Sequence, residues 1–148
     1  MESAIEAGSG LSKEDEAHIW RSKFINKSAK CEAELRRLLK MAPTSRLHFK
    51  VMAENLLSSQ KDANAKNSKG NNLKNLLEEL IPLIELRAEL AHSIFIDGQH
   101  QDGSILLKNA NFAHAHFDKL TFISADMRKK TYDRLSWIVG QLASITLD

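Results

Sequence analysis

Cysteine, proline and glycine are scarce in this chain: one cysteine (Cys31), two prolines and six glycines among 148 residues. A lone cysteine excludes an intrachain disulfide framework and a cysteine-based zinc site. So few prolines and glycines exclude a collagen-like chain, a linker protein and a many-turned β-sandwich. No apolar run approaches the roughly 18–20 residues that cross a bilayer, so no membrane partner is expected. The first ten residues carry two glutamates and lack the layout of a signal peptide, which points to a reducing, cytoplasmic setting. A glycine-rich phosphate loop, a nucleophile elbow and a dinucleotide fingerprint are all missing, and no cofactor is expected.

What is there is an ordinary globular composition, 43% hydrophobic and 27% charged. The length suits one domain with its own core, read as a flexible start over residues 1–12 and a helical domain over 13–148. The net charge of +2 hides an asymmetry. Residues 1–74 hold 14 basic and 9 acidic side chains, and residues 75–148 hold 7 and 10. The excess is densest over 21–50, with Arg21, Lys23, Lys27, Lys30, Arg36, Arg37, Lys40, Arg46 and Lys50 against Glu32 and Glu34. Such a stretch attracts a polyanion such as RNA; the plainer account is a solvated helix face.

Hydrophobic spacing predicts an all-α fold, an antiparallel bundle of four to five helices with a small β-hairpin insertion near residues 93–108. The first helix opens at Ser12, with Asp15 and Glu16 in its first turn. It buries Ala17, Trp20, Phe24, Ser28, Cys31, Leu35, Leu38 and Ala42, and ends before Pro43. A second helix starts at Thr44 or Ser45 and runs to about Ser59, burying Leu47, Val51, Met52 and Leu56. Residues 60–72 lack large apolar side chains and read as a mobile polar loop. A third helix runs from about Asn72 to His92 on the stripe Leu73, Leu76, Leu80, Leu83, Arg87, Leu90 and Ile94, with a kink or break at Pro82. Two apolar runs, 93–96 and 104–107, flank two Asp-Gly pairs and predict the hairpin. Residues 116–146 return to a helical pattern through Phe117, Leu120, Ile123, Met127, Leu135, Ile138, Leu142 and Ile145, broken at most once. No internal repeat is seen.

Chemistry concentrates in residues 83–95, LIELRAELAHSIF. Arg87 occupies a stripe position otherwise filled by Leu and Ile, where a charge calls for a partner or a wet cleft. His92 follows five residues later, about 140° around a straight helix from Arg87. Glu85, Glu89 and His92, at i, i+4 and i+7, share a face. Other candidates are weaker. His114 and His116, with Asp118 beyond, are too few to specify a metal site. Asp97, His100 and Asp102 read as solvated turn residues. Cys31, Trp20, Phe24 and Trp137 read as core.

Arg87-Ala88-Glu89-Leu90-Ala91-His92 resembles the Arg-x4-6-His motif of HEPN domains, helical proteins of bacterial toxin–antitoxin, phage-defence and RNA-processing systems. The motif sits late in a long apolar helix, as in that family, and Ser93 follows the histidine. The resemblance implies a metal-independent endoribonuclease or RNA-binding protein, acting as a homodimer, with an antitoxin among its conceivable protein partners. Arg87 would grip phosphoryl oxygens and His92 would move the proton of the 2′-hydroxyl. Glu89, or Glu85, would orient the imidazole. The residue after the arginine, commonly polar in active members, is Ala88 here. That departure favours the alternative, a non-catalytic helical protein–protein interaction module on the same fold.

Overall fold

The computed structural model describes residues 12–41, 47–96, 104–113, 115 and 117–147. The helix start expected at Thr44 or Ser45, the basic Arg46, the turn residues Asp97, His100 and Asp102, and the pair His114 and His116 lie outside the described residues. Element order is α1 (Lys13–Leu38), α2 (Phe49–Ser58), α3 (Gln60–Ala63), α4 (Leu73–His92), β1 (Ser93–Ile96), β2 (Ile105–Asn109), β3 (Leu120–Ile123) and α5 (Ala125–Ala143). The protein is mostly helical, and no helix is long and apolar enough among the described residues to cross a membrane.

The first helix follows its sequence pattern closely. The Ser12 side chain accepts from the Asp15 amide at 3.0 Å, and Glu14, Asp15 and Glu16 complement the positive helix end. Ala17, Trp20, Phe24, Ser28, Cys31, Leu35 and Leu38 are all buried. Ser28 is tolerated there because its hydroxyl donates to the Phe24 carbonyl at 2.9 Å. This face packs against α5, and α4 packs against α1, α2 and α5. In α4 the stripe Leu73, Leu76, Leu80, Leu83 and Leu90 is buried. The helix continues through Pro82 without a break.

Four expectations need correction. The second helix buries Phe49, Met52, Ala53 and Leu56, whereas Leu47 and Val51 are exposed. The i, i+3, i+4, i+7 stripe is counted from Phe49, which sets its phase. Residues 60–72 are built, not a bare loop. They contain α3, a bridge pairing Lys66 with Asn72 and a turn at Gly70 with φ of +80°, a conformation glycine adopts without strain. Asn67 and Asn71 both donate to the Gln141 side-chain oxygen at 2.7 Å, so a hydrogen-bonded amide cluster supplies the packing that apolar side chains would otherwise give. Trp137 is not core: it is exposed, with the Arg134 guanidinium 4.4 Å from its ring centroid.

The fourth correction concerns fold class. The hairpin is real, but it is part of a three-stranded antiparallel sheet in the order β1-β2-β3, so the fold is not a pure helical bundle. Residues 120–123, read as helix, form β3. Ser93, Ile94, Phe95 and Ile96 face Asn109, Lys108, Leu107 and Leu106. Ile105, Leu106, Leu107 and Lys108 face Ile123, Phe122, Thr121 and Leu120. Strand alternation puts Leu107 and Ile123 in the core and Leu120 and Phe122 on the opposite face. Helix resumes only at Ser124, whose side chain caps the Met127 amide at 3.0 Å.

Candidate functional site

The last two turns of α4 position every residue singled out by the motif. Arg87 is half-buried on the core stripe, and its Nε is buried without a hydrogen-bond partner among the described residues. His92 ends the helix and is exposed, its Nδ1 3.2 Å from the Asn111 side-chain nitrogen. The His92 carbonyl accepts from the Ala110 amide at 2.8 Å, which ties the helix end to the segment after β2. Arg87 on the stripe and His92 at the helix end thus sit in different surroundings, one half-buried and one exposed.

Glu85 and Glu89 do not orient the imidazole. Glu85 lies 3.6 Å from the Lys50 ammonium. Glu89 is 6% exposed and its Oε1 lies 3.5 Å from the Lys119 ammonium, while Oε2 is buried and has no partner among the described residues. Glu89 is one of the residues lining a cleft of about 580 Å³ between α4 and Ala113, Ala115, Lys119 and Thr121. The cleft wall is shaped by successive Asx turns: the Asn109 side-chain oxygen accepts from the Asn111 amide, and that of Asn111 from the Ala113 amide, each at 3.0 Å. Arg87 and His92 do not line the cleft; Ala88 does. Sequence reasoning missed Lys119 and Thr121, which join Glu89 there. They lie some thirty residues from it, and no periodicity signals that meeting.

The basic segment does not present nine cations to solvent. Arg36 pairs with Glu32 at 3.2 Å, Arg37 with Glu34 at 2.8 Å and Lys50 with Glu85. Arg21 lies 5.4 Å from the Phe95 ring centroid and Lys27 5.9 Å from that of Tyr132; burial also lowers the Arg21 pKa. Lys23, Lys30 and Lys40 are exposed. Cys31 is fully buried, and burial, reinforced by Glu34 and Glu32, pushes its thiol up to about 12, which makes it a core residue and not a nucleophile. Among the described residues no group of three or more His, Cys, Asp or Glu is arranged to hold a metal ion.

Among the described residues the outer face of the sheet carries several exposed apolar side chains. Register places Ile94, Lys108 and Leu120 in one row and Ile96, Leu106 and Phe122 in the next. Ile94, Leu120 and Phe122 are each more than half exposed. In the connection leading into β3, Phe112 (87% exposed) stacks on Phe117 with ring centroids 4.5 Å apart.

No family model, no curated protein and no solved structure matches the chain. The likeness to HEPN proteins therefore rests on the residues quoted above.

Proposed function

We propose that this chain is a non-catalytic helical protein–protein interaction module that self-associates through the outer face of its sheet. The observation that carries this reading is the set of apolar side chains exposed on the sheet's outer face, Ile94 on β1 and Leu120 and Phe122 on β3. Taken at roughly 200 Å² per fully exposed large side chain, the exposed parts of Ile94, Leu120 and Phe122 on the face amount to about 330 Å², and Phe112 and Phe117 in the connection into β3 add about 250 Å², some 570 Å² together. That is at the upper end of what a monomer leaves uncovered. A two-fold pairing that covers both the face and this aromatic pair would bury about 1,100–1,200 Å² in total, near the threshold for a specific interface. Lys108, which lies 3.4 Å from Asp118, is the charged member of the face. The test is sedimentation of the wild type and of a Leu120→Asp, Phe122→Asp variant at tens of micromolar. A dimer that becomes a folded monomer in the variant supports the reading; a monomeric wild type overturns it.

A second reading, a HEPN-like metal-independent endoribonuclease or RNA-binding protein of a bacterial defence or toxin–antitoxin system, is favoured by two observations. His92 is exposed, and the Arg87 Nε has no partner among the described residues. In this reading a dimer pairs His92 of one protomer with Arg87 of the other. His92 takes the 2′-hydroxyl proton as that oxygen attacks phosphorus, Arg87 holds the phosphoryl oxygens, the P–O5′ bond breaks, and the departing 5′-oxygen takes a proton from solvent. A mixed RNA pool incubated with EDTA should then yield 2′,3′-cyclic phosphate ends with the wild type and none with His92→Ala. Cleavage that survives His92→Ala, or that EDTA stops, would refute this mechanism; no cleavage by the wild type leaves the interaction module.

A further inference from the structure

A depression of about 270 Å³ lies between α1 and α5, and neither the sheet's outer face nor the Arg87–His92 motif takes part in it. Its apolar wall is Ile19, Trp20 and Tyr132. Ile19 is 41% exposed, so a ligand lying there takes apolar surface out of water. The five charged residues around this wall divide unevenly. Lys129 is held by Asp133 at 2.6 Å. Arg128 is buried; burial lowers its pKa and the Glu16 carboxylate opposes that drop, so these two charges offset each other. Lys23 remains. It is exposed and has no carboxylate partner among the described residues. One turn further along α1, Lys27 lies over the Tyr132 ring, 5.9 Å from its centroid. The rim therefore carries a surplus of positive charge beside an apolar wall, and that surplus includes an ammonium that solvent reaches.

We propose that this depression binds a small aromatic monocarboxylate, its ring against Ile19, Trp20 and Tyr132 and its carboxylate at the Lys23 ammonium. A ring is the favoured body because aromatic pairs attract beyond the area they bury. The volume is just below the roughly 300 Å³ at which small-molecule sites begin, so it admits one ring with a short acid chain. An ammonium head would meet the surplus of like charge, and a neutral alcohol would gain nothing from it. A single open lysine matches a single negative charge, whereas a doubly charged phosphate head would leave one charge unmet.

Three probes with one body separate these cases: 3-phenylpropanoate, 3-phenylpropanol and 3-phenylpropylamine, titrated into the full chain at neutral pH and low salt. The chain's two tryptophans give two indole N–H resonances. Trp20 lines the depression and Trp137 does not, so the first reports binding and the second is the control. The carboxylate is expected to bind saturably, moving the Trp20 resonance and the amides of 16–23 and 128–133. It should bind about three- to fivefold tighter than the alcohol, the range of an exposed ion pair, with the amine weakest. Lys23→Gln should bring the carboxylate down to the alcohol, and added salt should do the same in the wild type. Ile19→Ser should weaken both while leaving the circular dichroism spectrum unchanged. Alcohol binding as tight as the carboxylate, a preference that survives Lys23→Gln, affinities unmoved by Ile19→Ser, shifts centred on Trp137, or no saturable binding of the carboxylate in the millimolar range would overturn the proposal.

Discussion

Arg37, at the end of α1, closes the end of α5: its Nη2 donates to the carbonyl oxygens of Leu142 and Ile145, each at 3.0 Å. The last carbonyls of a helix have no partner within it, and here a cation from a neighbouring helix supplies one while opposing the negative helix end. A residue that reads in the sequence as part of a polyanion-binding stretch is a clasp between α1 and α5, which pack against each other. Arg37→Ala should therefore lower stability by about 1–2 kcal/mol, at the low end for hydrogen bonds to a charged group because the side chain is half-exposed. Glu34→Gln, which removes only the surface ion pair, should leave the melting temperature nearly unchanged. Equal losses in the two variants would place the stabilisation in the Glu34 pair instead.

The buried thiol makes a pH-dependent prediction. Cys31 is pushed from its ordinary value of 9.0 to about 12 by burial, with Glu34 and Glu32 adding to the effect. In the folded protein it keeps its proton while the unfolded chain loses one above pH 9, so its contribution to stability is whole below pH 9 and declines as pH rises toward about 12. The slope is at most about 1.4 kcal/mol per pH unit over that window. Denaturant melts of the wild type and Cys31→Ala at pH 8, 9, 10 and 11 should show the wild type losing stability faster, by up to that slope. Parallel curves would refute the burial account.

The same charge pairing revises the expected salt dependence of any RNA binding. If only the exposed Lys23, Lys30 and Lys40 meet phosphates, the logarithm of the affinity should fall with the logarithm of salt with a slope of about −2 for single strands. Titrations of a generic single-stranded RNA across a salt series measure it. A slope steeper than about −5 would mean that the paired arginines let go of Glu32 and Glu34 to bind RNA.

Much of the helical framework was legible because it is encoded locally. Ser12 before an acidic first turn and the spacing from Ala17 to Leu38 mark α1, and Asn72, whose side chain accepts from the Lys74 amide at 2.8 Å, marks the start of α4. β3 was not legible, because Phe117, Leu120, Ile123 and Met127 fall at steps of three and four that mimic a helix face. The capping Ser124 was the local sign that a new helix begins after it. The packing of residues 60–72 was hidden because it depends on Gln141, about seventy residues away. At the site, the motif lies at the end of α4, whereas the cleft opens on the side of Ala88 and Glu89. Its other wall is set by Asx turns after β2, a long-range meeting that helix periodicity does not encode.

Arg87 provides the sharpest separation between stability and function. It interrupts a stripe of buried leucines, and its Nε is buried without a partner among the described residues. Taking a charged group out of water without compensation destabilises the fold, and an apolar side chain of similar volume at such a position is often an improvement. Arg87→Met should therefore raise stability, by about 1–2 kcal/mol given that the residue is only half-buried, seen as a higher denaturation midpoint with an unchanged denaturant slope. Under the interaction-module reading the variant should self-associate like the wild type, because Arg87 lies away from the sheet's outer face. Under the endoribonuclease reading the same variant should lose cleavage and some RNA affinity, since the guanidinium would touch phosphate in both the ground and transition states. A destabilised Arg87→Met would show that the guanidinium stabilises the fold, and that its position on the stripe is a structural requirement of the packing between α4 and its neighbours.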